Sequence, residues 1–398
     1  MQAIEGIGKI MEELKKACTA LKDRGINFAL LSSHENITYI SGFDAPVQIG
    51  AGNDFAGGFP LQLALINANE ESGRLIVADV NSKLASEQSK LGEPLVFSIF
   101  NHFSPLEAVS SYKDCVRDAL YNAGLKNSHT KIGIEFETLP SVLLNLLLNE
   151  FKNLSVVSAQ SAFESARWIK TNREIKLLRR AASIADVAQE VLLDFAKNFN
   201  NNSEFEIWAK VQQRIMEEAS KSVPIVGELV TGPRTSVVAP GGPIQRKIVV
   251  GDTGIMDMGA RVDGYWSDCS NVVVFGSEPN KEQKKYFKAS KDGFEAAVDM
   301  LRPGVCCCDI EMAVCKAFER NAFKVTHYSG HQIGTTVNEK PRIVPYDRSI
   351  VESGMVFCFE PGVYAGPDGC MGARLEKMVL VTNSGAEILN KFSWGIGL

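Results

Sequence analysis

Short apolar runs alternate with amphipathic stretches over roughly the first 160 residues of the chain. Helical periodicity covers residues 105–124 and 141–152, and residues 1–24 also carry an amphipathic helical pattern. The predicted strands of this part are Phe28 to Leu31, Ile37 to Ile40, Leu61 to Ile66, Leu75 to Ala78 and Ile132 to Ile134. This alternation predicts a mixed α/β domain, which we place at residues 1–162.

The second part of the chain begins with a strong helical pattern over residues 172–198, followed by a helix to about Ala219. Further helices are predicted over residues 281–301 and 308–321. The predicted strands here are Lys247 to Val250, Gly254 to Gly259, Ser270 to Phe275, Met355 to Phe359 and Leu375 to Val381. Helices around a largely antiparallel sheet predict an α+β domain over residues 163–398.

Composition and charge argue against several classes of partner. The net charge of −5 attracts no phosphate backbone, so nucleic acid is not expected. No apolar run approaches the roughly 18 residues of a membrane span, and the N-terminus lacks a signal-peptide layout. Nine Cys, including the run Cys306 to Cys308, fit a reducing compartment, so we expect a cytoplasmic protein. We interpret that run as the start of a helix in preference to a soft-metal site.

Two aspartates flank a predicted hairpin. Asp263-Gly264 is a strong two-residue turn, and with these residues at its centre residue 259 faces residue 268. Asp257 and Asp268 are then diagonal neighbours on one face, about 7–8 Å apart at the backbone. They are therefore close enough to share metal ions, although acidic pairs on hairpins are also common without any ligand.

Four more polar residues stand out in the C-terminal part. His327 and His331 are two of only five His and lie among glycines, as metal-binding, acid–base or purely structural histidines do. Glu360 and Glu376 lie within or at the end of apolar strands, where an isolated charge is costly. Glu376 could instead pair with Arg374, two residues earlier on the same face.

Taken together, these side chains describe a site rich in oxygen and poor in nitrogen. Four carboxylates and one imidazole suit hard or borderline divalent ions such as Mn²⁺, Co²⁺, Fe²⁺ or Zn²⁺. Two such ions about 3.5–4 Å apart can share a bridging hydroxide and polarise a carbonyl group. We therefore expect two divalent metal ions as cofactors.

The order of the motifs resembles the pita-bread metallopeptidases, which include aminopeptidase P, prolidase, methionine aminopeptidase and creatinase. The five motifs follow one another as Asp257, Asp268, Gly330-His331-Gln332-Ile333-Gly334, Phe359-Glu360-Pro361-Gly362 and Gly372-Ala373-Arg374-Leu375-Glu376. Residues 167–174 resemble the start of that catalytic domain, and residues 36–43 resemble a creatinase-type N-terminal domain. The resemblance implies a pita-bread α+β catalytic domain preceded by a mixed α/β domain.

The resemblance also implies a role for each ligand. Asp257 would chelate one metal ion, and His331 and Glu360 would hold the other. Asp268 and Glu376 would bridge both ions, and Glu360 would also take a proton from the attacking water.

The resemblance implies further residues around the metals. His327 would be a catalytic and substrate-side histidine, and Arg374 would complete the catalytic group. Two substrate-binding positions depart from the peptidase pattern, because Asn338 and Pro240 stand where peptidases of this family carry histidines. These departures affect contacts with the substrate and leave the metal ligands intact.

The expected function is metal-dependent hydrolysis of a C–N amide bond in a small molecule or short peptide, of the Xaa-Pro aminopeptidase or prolidase kind. One alternative is a non-peptidase relative acting on a small metabolite, of the ectoine hydrolase, creatinase or sulfonium-lyase kind. Another is a pita-bread binding module without catalysis, against which the intact ligand set argues. Relatives with two domains also imply a homodimer, in which the Gly-rich loop at residues 45–60 would reach the partner's site.

Overall fold

The computed structural model describes residues 11–45, 62–99 and 101–396. The chain divides into two compact units, residues 1–167 and 168–398, and each is described by itself. Residues 46–60 of the Gly-rich loop and the first ten residues of the predicted N-terminal helix lie outside the described residues.

A mixed sheet forms the centre of the first unit. Its strands are β1 (Phe28–Leu31), β2 (Gln62–Asn67), β3 (Ser72–Ala78), β4 (Leu95–Phe97), β5 (Lys131–Ile134) and β6 (Ser155–Ser158). Their order is β4-β3-β2-β1-β5-β6, with β1 antiparallel to β2 and parallel to β5. Leu30 packs into one buried cluster while Ala29 and Leu31 pack into another, so β1 is covered on both faces. The predicted mixed sheet is confirmed.

The helices of the first unit cover this sheet. They are α1 (Glu12–Lys22), α2 (His34–Ser41), α3 (Ser82–Gln88), α4 (Ala108–Asn122), α5 (Ser141–Glu150) and α6 (Gln160–Arg167). The predicted strand at Ile37 to Ile40 is wrong, because these residues belong to α2. Ser33 caps this helix by accepting a hydrogen bond from the Asn36 amide, and Gly42 ends it in the left-handed conformation.

The second unit combines helices with antiparallel strands. Its helices are α7 (Asn172–Lys197), α8 (Glu204–Ala219), α9 (Lys281–Met300) and α10 (Cys307–Arg320). Its strands are β7 (Ile225–Thr231), β8 (Thr253–Val262), β9 (Tyr265–Trp266), β10 (Cys269–Val274), β11 (Gly330–Gln332), β12 (Glu339–Ile343), β13 (Val356–Phe359), β14 (Gly362–Tyr364), β15 (Gly372–Arg374), β16 (Lys377–Thr382) and β17 (Gly385–Ile388). One sheet has the order β10-β8-β7 and another β12-β11-β13-β16-β17. The predicted α+β class is confirmed.

Two strand predictions in this unit need correction. Residues 247–250 form no strand: Lys247 makes a single bridge to Ser203, and Val249 and Val250 are 60% and 62% exposed before the turn at Gly251. The predicted strand from Leu375 to Val381 is interrupted, since β15 ends at Arg374 and β16 begins at Lys377. The interruption places Glu376 between two strands that belong to different sheets.

The hairpin predicted around Asp263-Gly264 is present. Both residues have positive φ, 51° and 84°, as a tight two-residue hairpin turn requires. The pairing of Cys269 with Met258 continues the predicted register beyond the turn. The Cys run begins a helix as predicted, because Cys306 is the residue that precedes α10.

Within the described ranges, no helix combines the length and apolar character needed to cross a membrane.

Candidate metal centre

Five separate segments of the second unit contribute the acidic side chains and the imidazole of the candidate site. Asp257 lies in β8, Asp268 directly precedes β10, and His331 is the central residue of β11. Glu360 follows β13, and Glu376 lies just before β16. The structure therefore brings together residues that are up to 119 positions apart in the sequence.

Backbone hydrogen bonds join these segments directly. The Ser270 amide donates to the Glu376 carbonyl over 3.2 Å, and the Glu376 amide donates back to Ser270 over 2.9 Å. The Glu360 amide donates to the Ser329 carbonyl over 3.0 Å, beside β11. Sheet pairing rather than loop flexibility thus positions the ligands.

The imidazole of His331 presents an unprotonated nitrogen to the carboxylates. Its Nδ1 lies 2.9 Å from the Gln332 carbonyl oxygen, so Nδ1 carries the proton and donates it there. Burial lowers the pKa of His331, which keeps the ring neutral. The Nε2 lone pair then faces Asp268 Oδ2 at 3.6 Å and Glu360 Oε1 at 3.4 Å. An unprotonated imidazole nitrogen and two buried carboxyl groups thus face one another, an arrangement that a cation would stabilise.

Glu376 lies at the centre of the cluster. Both of its carboxylate oxygens are buried and have no hydrogen-bond partner among the described residues. Oxygens of Asp257, Glu360 and Glu376 lie within 4.8 Å of one another, and Glu376 also belongs to a second group with Asp268 and His331. The two groups overlap at Glu376, as a carboxylate that bridges two ions would require.

Electrostatic repulsion within the cluster is reflected in its pKa values. Burial, together with neighbouring carboxylates, raises the pKa of Asp268 and of Glu376 well above the ordinary range. Burial and Asp257 also raise the pKa of Glu360, to about 8, although Arg374 opposes the shift. Divalent cations would remove this repulsion, so the side chains present fit such ions well.

Arg374 pairs with different partners from the one suggested by its sequence position. Its Nη2 donates to the Asp257 carboxylate and to Glu228 Oε1 at 2.7 Å, and its Nη1 donates to the Tyr364 hydroxyl at 2.8 Å. The proposed salt bridge to Glu376 is absent from the described contacts. Glu228 reaches this pair because it faces Asp257 across the β7–β8 ladder.

His327 lies beside this network. Its ring centroid is 5.7 Å from that of Tyr364, and its Nε2 is buried without a hydrogen-bond partner among the described residues. A Cβ atom on Gly362 would come within 2.6 Å of this nitrogen, so only glycine leaves room for the ring. Burial, with a further contribution from Arg374, lowers the pKa of His327 to about 4. His327 is therefore a neutral hydrogen-bonding group at neutral pH.

The two positions that depart from the peptidase pattern lie in different surroundings. Asn338 is exposed, and its Nδ2 donates to the Tyr328 hydroxyl at 3.1 Å, which links it to the site. Pro240 lies in a loop whose hydrogen bonds, among the described residues, go from Arg234 to the carbonyls of Gly241 and Gly242. The contacts described for this chain connect Asn338, but not Pro240, with the ligand cluster.

The structure adds four residues that the sequence reasoning missed. Glu228 could be found only through the β7–β8 pairing. Tyr328 and Tyr364 lie close in sequence to His327 and Glu360, so proximity to the motifs was an available signal. Cys358 has a buried thiol within 4.8 Å of ligand atoms of Asp268, His331 and Glu376, and burial raises its pKa well above the ordinary value.

Fold and site together define a metal-dependent hydrolase with an antiparallel-sheet catalytic domain. Residues 176–383 match the metallopeptidase family M24, and residues 13–169 match the creatinase/prolidase N-terminal domain. The chain belongs to metallopeptidase family M24. The predicted fold class, a creatinase-type N-terminal domain followed by a pita-bread domain, is confirmed.

The alignments with similar proteins cover nearly the whole chain. An Xaa-Pro dipeptidase of Pyrococcus horikoshii is 26% identical over 384 residues, covering 96% of this chain and 97% of its own. An Xaa-Pro dipeptidase of Pyrococcus furiosus is 27% identical over 386 residues, covering 96% and 98%. The solved structure of the Xaa-Pro dipeptidase from Bacillus anthracis superposes with a TM-score of 0.77 at 23% identity, covering 98% and 99%. These matches favour the peptidase interpretation over the small-metabolite alternative.

Proposed function

We propose that this chain uses two divalent metal ions to hydrolyse the amide bond of Xaa-Pro peptides. The observation that carries the proposal is the pair of overlapping ligand groups that share Glu376, whose two oxygens lack any other partner among the described residues. The names of the relatives supply the substrate class, and the ligand set supplies the chemistry.

Each ligand has a role in this proposal. Asp257 would hold one ion, His331 and Glu360 would hold the other, and Asp268 and Glu376 would be shared by both. Ions bound there would polarise the substrate carbonyl and lower the pKa of a bound water. The oxygen-rich ligand set suits Mn²⁺, with Co²⁺, Fe²⁺ and Zn²⁺ as the other candidates.

The remaining side chains prepare this reaction. Glu360 accepts the proton of the attacking water at a carboxylate oxygen. Arg374 holds the Asp257 carboxylate in position, because its guanidinium also binds Glu228 and Tyr364. His327 offers its free Nε2 to the substrate amide. As a neutral imidazole it contributes hydrogen bonding rather than a positive charge.

The expected rate of Xaa-Pro cleavage depends on Pro240 and Asn338, the two positions where peptidases of this family carry histidines. Neither Pro240 nor Asn338 can change its charge near neutral pH, and Pro240 has no side-chain donor. General acid–base groups typically contribute about 10²–10⁴-fold to a rate. We therefore expect weaker cleavage of ordinary Xaa-Pro dipeptides than in relatives that carry both histidines. We further propose that the enzyme is a cytoplasmic homodimer.

A substrate panel tests the proposal. Protein loaded with Mn²⁺ is assayed on Ala-Pro, Leu-Pro, Ala-Ala, small amides and betaines, before and after chelation. We expect cleavage of the Xaa-Pro dipeptides, loss of that activity with the chelator, and its return when metal is added back. Glu360→Gln is the inactive control. Hydrolysis confined to a small amide or betaine would replace the peptidase proposal with the small-metabolite alternative.

A further inference from the structure

Glu228 is a buried carboxylate beside the metal centre that is not one of the proposed ligands. It faces Asp257 across the β7–β8 ladder. A Cβ atom on the preceding residue, Gly227, would lie 2.1 Å from the Asp257 carbonyl oxygen, and Gly227 has a φ of 134°. Only glycine therefore allows the two strands to pair in this way. Sheet pairing thus places a fifth carboxylate next to the four of the proposed ligand set.

One guanidinium nitrogen joins Glu228 to the ligand Asp257. Arg374 Nη2 donates to Glu228 Oε1 over 2.7 Å and also donates to Asp257 Oδ2. The side chains of Arg374, Glu228 and Asp257 are 5%, 11% and 21% exposed. Because little water reaches these groups, their charges act on one another with little screening.

The charges around the centre can be counted from these contacts. The four carboxylates of the proposed ligand set carry four negative charges when ionised, which match the positive charges of two divalent ions. The imidazoles of His327 and His331 are neutral, since burial lowers the pKa of both. Arg374 alone would therefore add one uncompensated positive charge, directly on the ligand Asp257. An ionised Glu228 cancels this charge.

We propose that Glu228 is a positioning residue of the metal centre, which neutralises Arg374 so that Asp257 keeps its negative charge for the metal ion. The inference rests on the proposed function in that two divalent ions bind there. Without the charge of Glu228, the guanidinium would compete with an ion for the Asp257 carboxylate. Partners that hold metal ligands from outside typically contribute about 10–100-fold to metal affinity or activity.

Glu228→Gln isolates the charge, because glutamine keeps the shape of the side chain and an oxygen that can accept from Arg374. Burial raises the pKa of Glu228 while Arg374 opposes the rise, so the titrations are made at pH 8, well above the ordinary value of 4.5. Calorimetric titration with Mn²⁺, without substrate, should find two ions per wild-type chain. In the variant, we expect one of the two sites to bind at least tenfold more weakly.

Glu387→Gln is the matched control for the loss of a negative charge. Glu387 pairs with Arg179 in the same unit, and their side chains are 38% and 42% exposed. Water screens such a pair, so this variant should bind both Mn²⁺ ions within twofold of wild type. Glu228→Asp is the conservative variant: it keeps the charge on a shorter side chain and should stay within about threefold of wild type.

Electron paramagnetic resonance supplies a second readout that does not depend on activity. Two Mn²⁺ ions that share carboxylates couple magnetically, whereas a single bound ion gives the spectrum of an isolated ion. At a Mn²⁺ concentration that fills both sites of the wild type, Glu228→Gln should show the spectrum of an isolated ion. A residue that only held Arg374 in place would not produce this change, because glutamine can still accept from the guanidinium.

The metal titration separates this inference from the proposed substrate. If the wild type binds two Mn²⁺ ions but cleaves no Xaa-Pro dipeptide, the substrate is wrong and the titration still decides the role of Glu228. Affinity within twofold of wild type at both sites of Glu228→Gln would overturn the inference. If that variant does not fold, Glu228→Asp decides, and a tenfold loss there would overturn it, because the charge is retained. A wild-type chain that binds fewer than two ions would overturn this inference together with the two-ion site.

Discussion

Glu360→Gln should stabilise the metal-free protein at alkaline pH while abolishing its activity. Glu360 is buried among carboxylates, and its pKa rises from an ordinary value of 4.5 to about 8. Glutamine has nearly the same shape and carries no charge at any pH. The substitution therefore removes the unfavourable ionisation and leaves the packing in place.

The size of the stability change follows from the shift in the pKa of Glu360. Between pH 4.5 and about 8 the folded chain binds a proton on Glu360 that the unfolded chain has lost. Stability is therefore fully present below the lower value and falls as the pH rises towards the upper one. At about 1.36 kcal/mol for each pKa unit, the loss reaches about 4 kcal/mol at pH 8 and stays below about 1 kcal/mol at pH 5.

Urea unfolding in the presence of a chelator measures this difference. The chain has 4 Trp, and Trp168, Trp208, Trp266 and Trp394 all lie in the second unit, so their fluorescence reports on it alone. We expect the variant to be about 4 kcal/mol more stable than wild type at pH 8, and nearly equal to it at pH 5.

Two controls sharpen the measurement. Glu319→Gln, at an exposed position of α10, should show no gain that depends on pH. Saturating Mn²⁺ should cancel the difference between the two proteins at pH 8, because ligand at about 1,000 times its Kd adds about 4 kcal/mol to the wild type. The reasoning is refuted if metal-free wild type is equally stable at pH 5 and 8, or if Glu360→Gln is the less stable protein at pH 8.

Further predictions concern the ligands, the substrate side and the supporting ion pairs. Glu376→Ala should lose most of its metal in elemental analysis, because both ligand groups share this residue; full occupancy would contradict the proposed bridge. His327→Ala should lower turnover at least tenfold with metal content near normal, and unchanged turnover would exclude it from the reaction. Arg374→Met should lower the free energy of unfolding by about 3–5 kcal/mol in urea, because Asp257 and Glu228 lose their buried partner. Light scattering should show a dimer at assay concentration, and an active monomer would contradict that proposal.

The sequence predicted most of the helices and several strands because their periodicity is local. The helix over residues 172–198 was predicted almost to the residue from its apolar periodicity, and in the structure Thr171 and Glu174 form a capping box at its start. The segment at Ile37 to Ile40 was misjudged, because a short apolar run is compatible with strand or helix. There Ser33 and Gly42, which flank the run, decided in favour of the helix.

The sequence by itself also determined the chemical character of the site. Asp257, Asp268, His331, Glu360 and Glu376 are polar residues placed in apolar segments, and such residues need a partner wherever the chain folds. The hairpin at Asp263-Gly264 fixed the register between the first two, because a two-residue turn leaves only one pairing.

Only the tertiary structure decided which partners these residues have. The sequence spacing suggested that Arg374 pairs with Glu376, yet Arg374 binds Asp257 and Glu228, because the β7–β8 ladder brings Glu228 to the same place. The contact of Asn338 with Tyr328 likewise depends on how the chain returns after β11. Local patterns specify turns and helices, but contacts between distant segments depend on sheet pairing and burial, which no short stretch of sequence contains.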